Sequence, residues 1–163
     1  MQPLDQKTIR ASFVNASRKE VTDITFSPDF DQIDWEKIDY LGWRDPKIAK
    51  RAYLVIPTGD GPVGIAVRQA DVAPRGRAQC SWCQDVRLPN DVVIFVARRV
   101  GPAGRNGDTV ATMICSEFQC SANVRKLPPV AYIGFDVEAA RDERIEWLRV
   151  LASEFATGLV KGK

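Results

Sequence analysis

The chain has no histidine. That one absence removes Ser-His-Asp and Cys-His catalysis, HExxH zinc sites and histidine proton shuttles together. Methionine occurs twice, so a Met-rich promiscuous groove is excluded as well. No run approaches the roughly 18 apolar residues of a membrane span, and no membrane partner is expected. Met1 to Arg10 hold neither an apolar core nor a cleavage site, so no secretory signal is expected and a cytoplasmic location is. No internal repeat or low-complexity segment interrupts the chain. What remains is 163 residues, 45% hydrophobic and 27% charged, the balance of one ordinary globular domain.

The formal charge is +2, but it is unevenly placed. Residues 1–46 carry 6 basic and 9 acidic groups, residues 47–130 carry 12 and 6, and residues 131–163 carry 5 and 6. A basic middle unit therefore lies between mildly acidic flanks. Such a unit favours an acidic partner surface or phosphates, and it equally describes a solvated arginine-rich face.

Local patterns suggest an α+β fold with a small antiparallel sheet and helices at both ends. Asp5 can cap a helix reaching about Asn15, with Ile9, Phe13 and Ala16 on one face. Thr22 to Phe26 alternates like a strand, and a short helix is expected over Asp34 to Leu41. Ala52 to Pro57 and Val63 to Arg68 flank Thr58-Gly59-Asp60-Gly61, a hairpin signal. Asp91 to Arg99 and Thr109 to Ile114 read as a second hairpin around a loop from Gly101 to Gly107. Pro128-Pro129 stops a helix over Ser116 to Lys126. A long amphipathic helix is expected from Asp136 to Phe155, with Ile145, Leu148, Ala152, Phe155 and Leu159 on one face. The organisation expected is an N-terminal segment (1–34), a central unit (35–130) and a C-terminal helix (131–163) packed on that unit.

The four cysteines carry the chemistry. Cys80-x2-Cys83 has the gap of a metal knuckle, and Cys115-x4-Cys120 follows after 31 residues. In a reducing compartment metal binding is the leading use of such pairs. Positions five apart in a regular helix are rotated by about 140°, so Cys115 and Cys120 cannot face one ion from inside it. A helix start between them resolves this: Ser116-Glu-Phe-Gln119 fits a capping box with Ser116 as N-cap. Four thiolates close the tetrahedral sphere of Zn²⁺ and leave no position for catalytic water. Four buried free cysteines and a Cys80/Cys83 redox pair are the alternatives.

Several motifs in order carry a family resemblance. They are Asp39-Tyr-Leu-Gly-Trp-Arg-Asp-Pro46, Arg51-Ala-Tyr-Leu-Val55, Pro62-Val-Gly-Ile65 with Arg68, Cys80-x-x-Cys83, Val92 to Arg98, Gly101-Pro-Ala-Gly-Arg-Asn-Gly107, and Ile114-Cys-Ser-Glu-Phe-Gln-Cys-Ser121 with Val124-Arg125. Over roughly residues 35–127 the chain resembles the FBP domain, the treble-clef zinc domain of elongation-factor-G-binding proteins, similar to the fusidic-acid-resistance (FusB-type) family. The resemblance implies Zn²⁺ on Cys80, Cys83, Cys115 and Cys120. It also implies elongation factor G as partner; in the resistance proteins such binding helps free the factor from a drug-stalled ribosome. In the resistance proteins a larger N-terminal helical bundle precedes this domain, whereas about 34 residues precede the matched region here.

Partner contacts are sought at Trp82, Arg98, Arg99, Arg105 and Arg125. Trp82 is either an exposed anchor or a plug packing the knuckle. The arginines are either contacts or ordinary surface charge. Phe118, Trp35, Tyr40 and Trp43 read as core. The glycines at 101, 104 and 107 precede no helix in this reading, so no phosphate cradle is expected. No enzyme and no small-molecule substrate are expected. Binding to the ribosome or its RNA through the basic middle segment is the second reading.

Overall fold

A computed structural model describes residues 1–74, 76–85 and 91–161. Its centre is a five-stranded antiparallel sheet in the order β1-β2-β3-β4-β5. The strands are β1 (Leu41–Arg44), β2 (Arg51–Thr58), β3 (Gly61–Gln69), β4 (Val92–Arg98) and β5 (Thr109–Cys115). Both expected hairpins form. Leu54 pairs with Ile65 across the first and Phe95 with Thr112 across the second. The α+β architecture with helices at both ends is as the sequence suggests.

β2 is buried continuously from Ala52 to Ile56, because the sheet is covered on both faces. Ala52, Leu54 and Ile56 join Ile65, Phe95 and Ile114 in one core. The short helix α4 (Cys120–Arg125) and the long helix α5 (Val137–Lys161) cover that side. α5 buries Leu148, Ala152, Ala156 and Leu159 at helical spacing. It runs to Lys161, beyond the expected end at Phe155, and residues 162–163 of the C-terminal segment lie outside the described residues. On the opposite face Leu41, Trp43, Tyr53 and Val55 pack against Ile9 and Ile24 of the N-terminal segment.

That segment crosses the sheet as helix α1 (Gln6–Ala11), a single bridge from Phe13 to Gly64, and helix α2 (Arg18–Thr22). Gly64 is required there, since a Cβ would lie 2.6 Å from Ser12 Oγ and 2.9 Å from the Phe13 backbone. Asp5 caps α1 as expected, accepting from Thr8 N–H. The helix ends at Ala11, short of Asn15, because Asn15 has another task. Its side chain donates to Ala66 O (2.9 Å) and Arg98 O (3.1 Å) and accepts from Ala66 N (2.8 Å). It thereby bridges β3 and β4, which pair directly only from Val67 to Gln69.

Three local expectations are corrected. Thr22 to Phe26 is not a strand. Ser17 and Glu20 form a complete capping box that starts α2, and the Arg10 guanidinium takes the carbonyls of Val21, Thr22 and Ile24. Asp34 to Leu41 is not a helix. One 3₁₀ turn, Trp35–Lys37, is followed by extended chain and β1, since pairing with β2 satisfies the backbone from Leu41 onward. The Gly101–Gly107 loop contains a helical turn, α3 (Gly101–Arg105), with Pro102 in its first turn. It packs so closely that a Cβ on Gly104 would sit 1.7 Å from Arg99 O.

Candidate metal centre

Cys80 and Cys83 lie in the connection from β3 to β4. Ser81 N–H donates to Met113 O (2.7 Å), which ties this knuckle to the end of β5. Gln84 N–H donates back to Cys80 O (3.0 Å), and Gln84 takes a positive φ of 53°. This tight turn aims both thiols the same way, and Cys83 N–H donates to Cys80 Sγ at 3.4 Å.

The second pair reaches the site by a different route from the expected one. Cys115 ends β5, and Cys120 is the first residue of α4. Ser116 is not the N-cap. Gln119 holds that position without a side-chain cap bond, and its Oε1 accepts from Glu117 N–H (3.1 Å). Residues 115–119 instead form a turn closed by Phe118 N–H to Cys115 O (3.1 Å), with Phe118 at φ 57°. Left-handed backbone is costly for a bulky residue. Burial offsets it here, because the Phe118 ring stacks on Phe95 at 5.1 Å. The tertiary contact thus outweighs the local capping signal. Ser17→Ala should therefore cost about 1 kcal/mol and Ser116→Ala less than about 0.5 kcal/mol, read from urea unfolding midpoints. Equal losses would contradict this assignment.

All four sulfurs are buried and lie within 4.8 Å of one another. Cys80 and Cys120 are 3.6 Å apart, as are Cys83 and Cys115, so each close pair takes one sulfur from each half of the site. Zn–S bonds of about 2.3 Å in a tetrahedron require S···S edges of about 3.8 Å. The donor set and its dimensions therefore fit Zn²⁺, with all four positions taken by protein. The thiols of Cys115 and Cys120 beside Cys80 hold its pKa well below the ordinary thiol range. Cys120, beside Cys115 and Cys80, is pushed well above it. Four clustered thiols divide in this way because each new thiolate forms against the charge of the last. A divalent cation removes that conflict.

The surroundings are packed and polar in specific places. Trp82 is 3% exposed, set edge-on to Tyr40 (5.0 Å) and against Phe155 (5.7 Å). It plugs the knuckle onto the core and is not displayed as a surface anchor. The Tyr40 hydroxyl donates to Phe118 O (3.3 Å). Burial first, and then the charge of Cys120, raise its pKa well above the phenol range.

Arg125 is likewise turned inward. It pairs with the buried Asp39 at 2.5 Å, and Arg149 of α5 reaches the same carboxylate at 2.9 Å. Asp39 N–H donates to Ser121 Oγ (2.9 Å). Arg98 and Arg105 are exposed and Arg99 is half-buried. These three lie at the tip of the β4–β5 hairpin, and the cysteines lie at its other end. The seven residues of β5 separate the two ends by about 20 Å. The five residues sought as partner contacts are therefore not one patch. The polar residues whose roles sequence reading missed are Asn123, whose amide faces two of the sulfurs, and Asp39, which stands in a motif but has no local sign of its arginine partners.

Among the described residues, no helix is long and apolar enough to cross a membrane. A comparison with curated protein sequences found no significant match. The family model described as "FBP C-terminal treble-clef zinc-finger" matches residues 8–159. That span exceeds the 35–127 of the motifs and takes in most of α1, all of α2 and most of α5. A knuckle, a hairpin and a helix bearing the last cysteine follow one another in this fold, and the chain belongs to the FBP C-terminal treble-clef zinc-finger family.

Proposed function

We propose that the chain is a Zn²⁺-stabilised adaptor of translation that binds elongation factor G and acts by affinity, without chemistry of its own. The observation that carries this reading is membership of the FBP zinc-finger family over nearly the whole chain. The closed four-cysteine centre supports a structural ion, since a catalytic zinc keeps an open position. Cys80, Cys83, Cys115 and Cys120 would hold that ion, which when bound supplies a rigid junction between the knuckle, the hairpin and α4. A binder of this kind frees or protects its partner only through different affinities for the partner's conformations or its ribosome-bound form.

The exposed cations at the hairpin tip, Arg98 and Arg105, favour an acidic partner surface. They equally favour a second reading, direct binding to ribosomal RNA. Calorimetric titration with purified elongation factor G, free of ribosomes and RNA, separates the two. The expected result is saturable one-to-one binding, weakened about tenfold or more by Arg98→Glu with Arg105→Glu, at unchanged zinc content. No binding of the pure factor, with salt-sensitive retention of RNA, would transfer the proposal to RNA.

A further inference from the structure

The metal centre has an internal charge problem. Four thiolates on one Zn²⁺ leave a net charge of about −2 in a buried site, and such charge is costly unless hydrogen-bond donors meet it. One donor is the Cys83 amide, which serves Cys80. Asn123 supplies the next. It is 1% exposed, and its Nδ2 lies 3.6 Å from Cys115 Sγ and 3.8 Å from Cys83 Sγ. These sulfurs belong to opposite halves of the site and are themselves 3.6 Å apart.

The orientation of the amide is fixed by its other end. Lys126 Nζ donates to Asn123 Oδ1 at 3.2 Å. An ammonium can only donate, so the oxygen must face the lysine and the NH₂ must face the sulfurs. The backbone of Asn123 is held too. Its N–H donates to Gln119 O (3.0 Å), and its carbonyl accepts from Arg144 of α5 (3.3 Å). A polarised amide is thus clamped in front of two ligands.

We propose that Asn123 is a positioning residue of the metal centre. It bridges Cys83 and Cys115 by N–H···S bonds, lowers the charge on both sulfurs and slows metal release, with Lys126 strengthening the effect. This rests on the zinc occupancy proposed above. It assigns the retention of the ion to a residue outside the four ligands.

Asn123→Leu keeps the volume and removes the donor. Zinc release into a chromophoric chelator should accelerate about 10- to 100-fold. Asn123→Asp, which places a carboxylate against the thiolates, should accelerate it further. Lys126→Met should act in the same direction but less. In protein loaded with Co²⁺ alone, sulfur freed of N–H···S bonds is a stronger donor. The sulfur-to-cobalt absorption should then move to lower energy in Asn123→Leu, a change that lost packing by itself would not produce.

If Asn123→Leu does not fold, Lys126→Met carries the test. The exposed lysine can be shortened without opening the core. Release rates within about twofold of the parent in every folded variant, with superimposable cobalt spectra, would overturn the role of Asn123 while leaving zinc binding intact. A parent chain that takes up neither zinc nor cobalt would overturn both.

Discussion

Removing the metal, or two of its ligands, should dismantle the knuckle half of the molecule and leave the other half partly ordered. Structural zinc contributes on the order of 10 kcal/mol in finger peptides at neutral pH. Here the cysteines belong to the same core as Leu54, Ile65, Phe95 and Leu148, so their release also frees buried apolar surface. The second core, around Ile9, Ile24, Trp43, Tyr53 and Val55, contains no cysteine. Purified protein should carry one Zn²⁺ per chain, and Cys80→Ser with Cys120→Ser should carry none. The near-ultraviolet signal of Trp82, wedged between Tyr40 and Phe155, should collapse in the double variant. Much of the far-ultraviolet signal should remain. Acid should release the ion, because protons compete for the thiolates. Full metal content and an unshifted unfolding midpoint in the double variant would refute the site.

Asp39→Ala should cost about 3 kcal/mol of folding stability, towards the lower end for a broken buried ion pair. The carboxylate is 1% exposed, and Arg125 and Arg149 are its charge partners. Arg149 is 53% exposed and can rehydrate when the carboxylate is lost, which limits the penalty. The two arginines belong to α4 and α5, so this single group ties the approach to β1 to both helices over the metal centre. A double-mutant cycle with Arg125→Met should show a coupling of about 1–3 kcal/mol in urea unfolding; additive losses would contradict the bridge.

The pH dependence has a definite sign. Burial alone would raise the Asp39 pKa, but the hydrogen-bonded guanidinium of Arg125, and then that of Arg149, more than offset it and hold it below the ordinary carboxylate value. A lowered folded pKa means that the contribution is fully present above the unfolded value of about 3.9. It is lost as pH falls through the folded value. The stability gap between the parent and Asp39→Asn should therefore be constant between pH 7 and about pH 5 and close only below about pH 4.

Much of this molecule was written in short-range pattern. Alternation around Thr58-Gly59-Asp60-Gly61 set the first hairpin, and the apolar spacing of Leu148, Ala152 and Leu159 set the inner face of α5. The Cys-x2-Cys and Cys-x4-Cys spacings, with the motifs around them, marked the four cysteines that cluster and the family. These features are legible because turn chemistry, side-chain period and ligand spacing act within a few residues.

Other features depended on which segments meet. The capping box read at Ser116 did not form, whereas Ser17 and Glu20 form one that starts α2. Burial of Phe118 on Phe95 bent the chain away from a helix start at Ser116. Trp82 became a plug and Arg125 an internal strut, because Phe155 and Asp39 arrive from distant parts of the chain. Asp39 meets Arg125 across 86 positions and Arg149 across 110. Asn123 faces Cys83 across 40. The sequence by itself determined the two cysteine pairs, the hairpins and the long helix, since each is decided by neighbours along the chain. Only the tertiary structure decided how the buried charges of the centre are met, because a polar side chain carries no local sign of the partner that folding will bring to it.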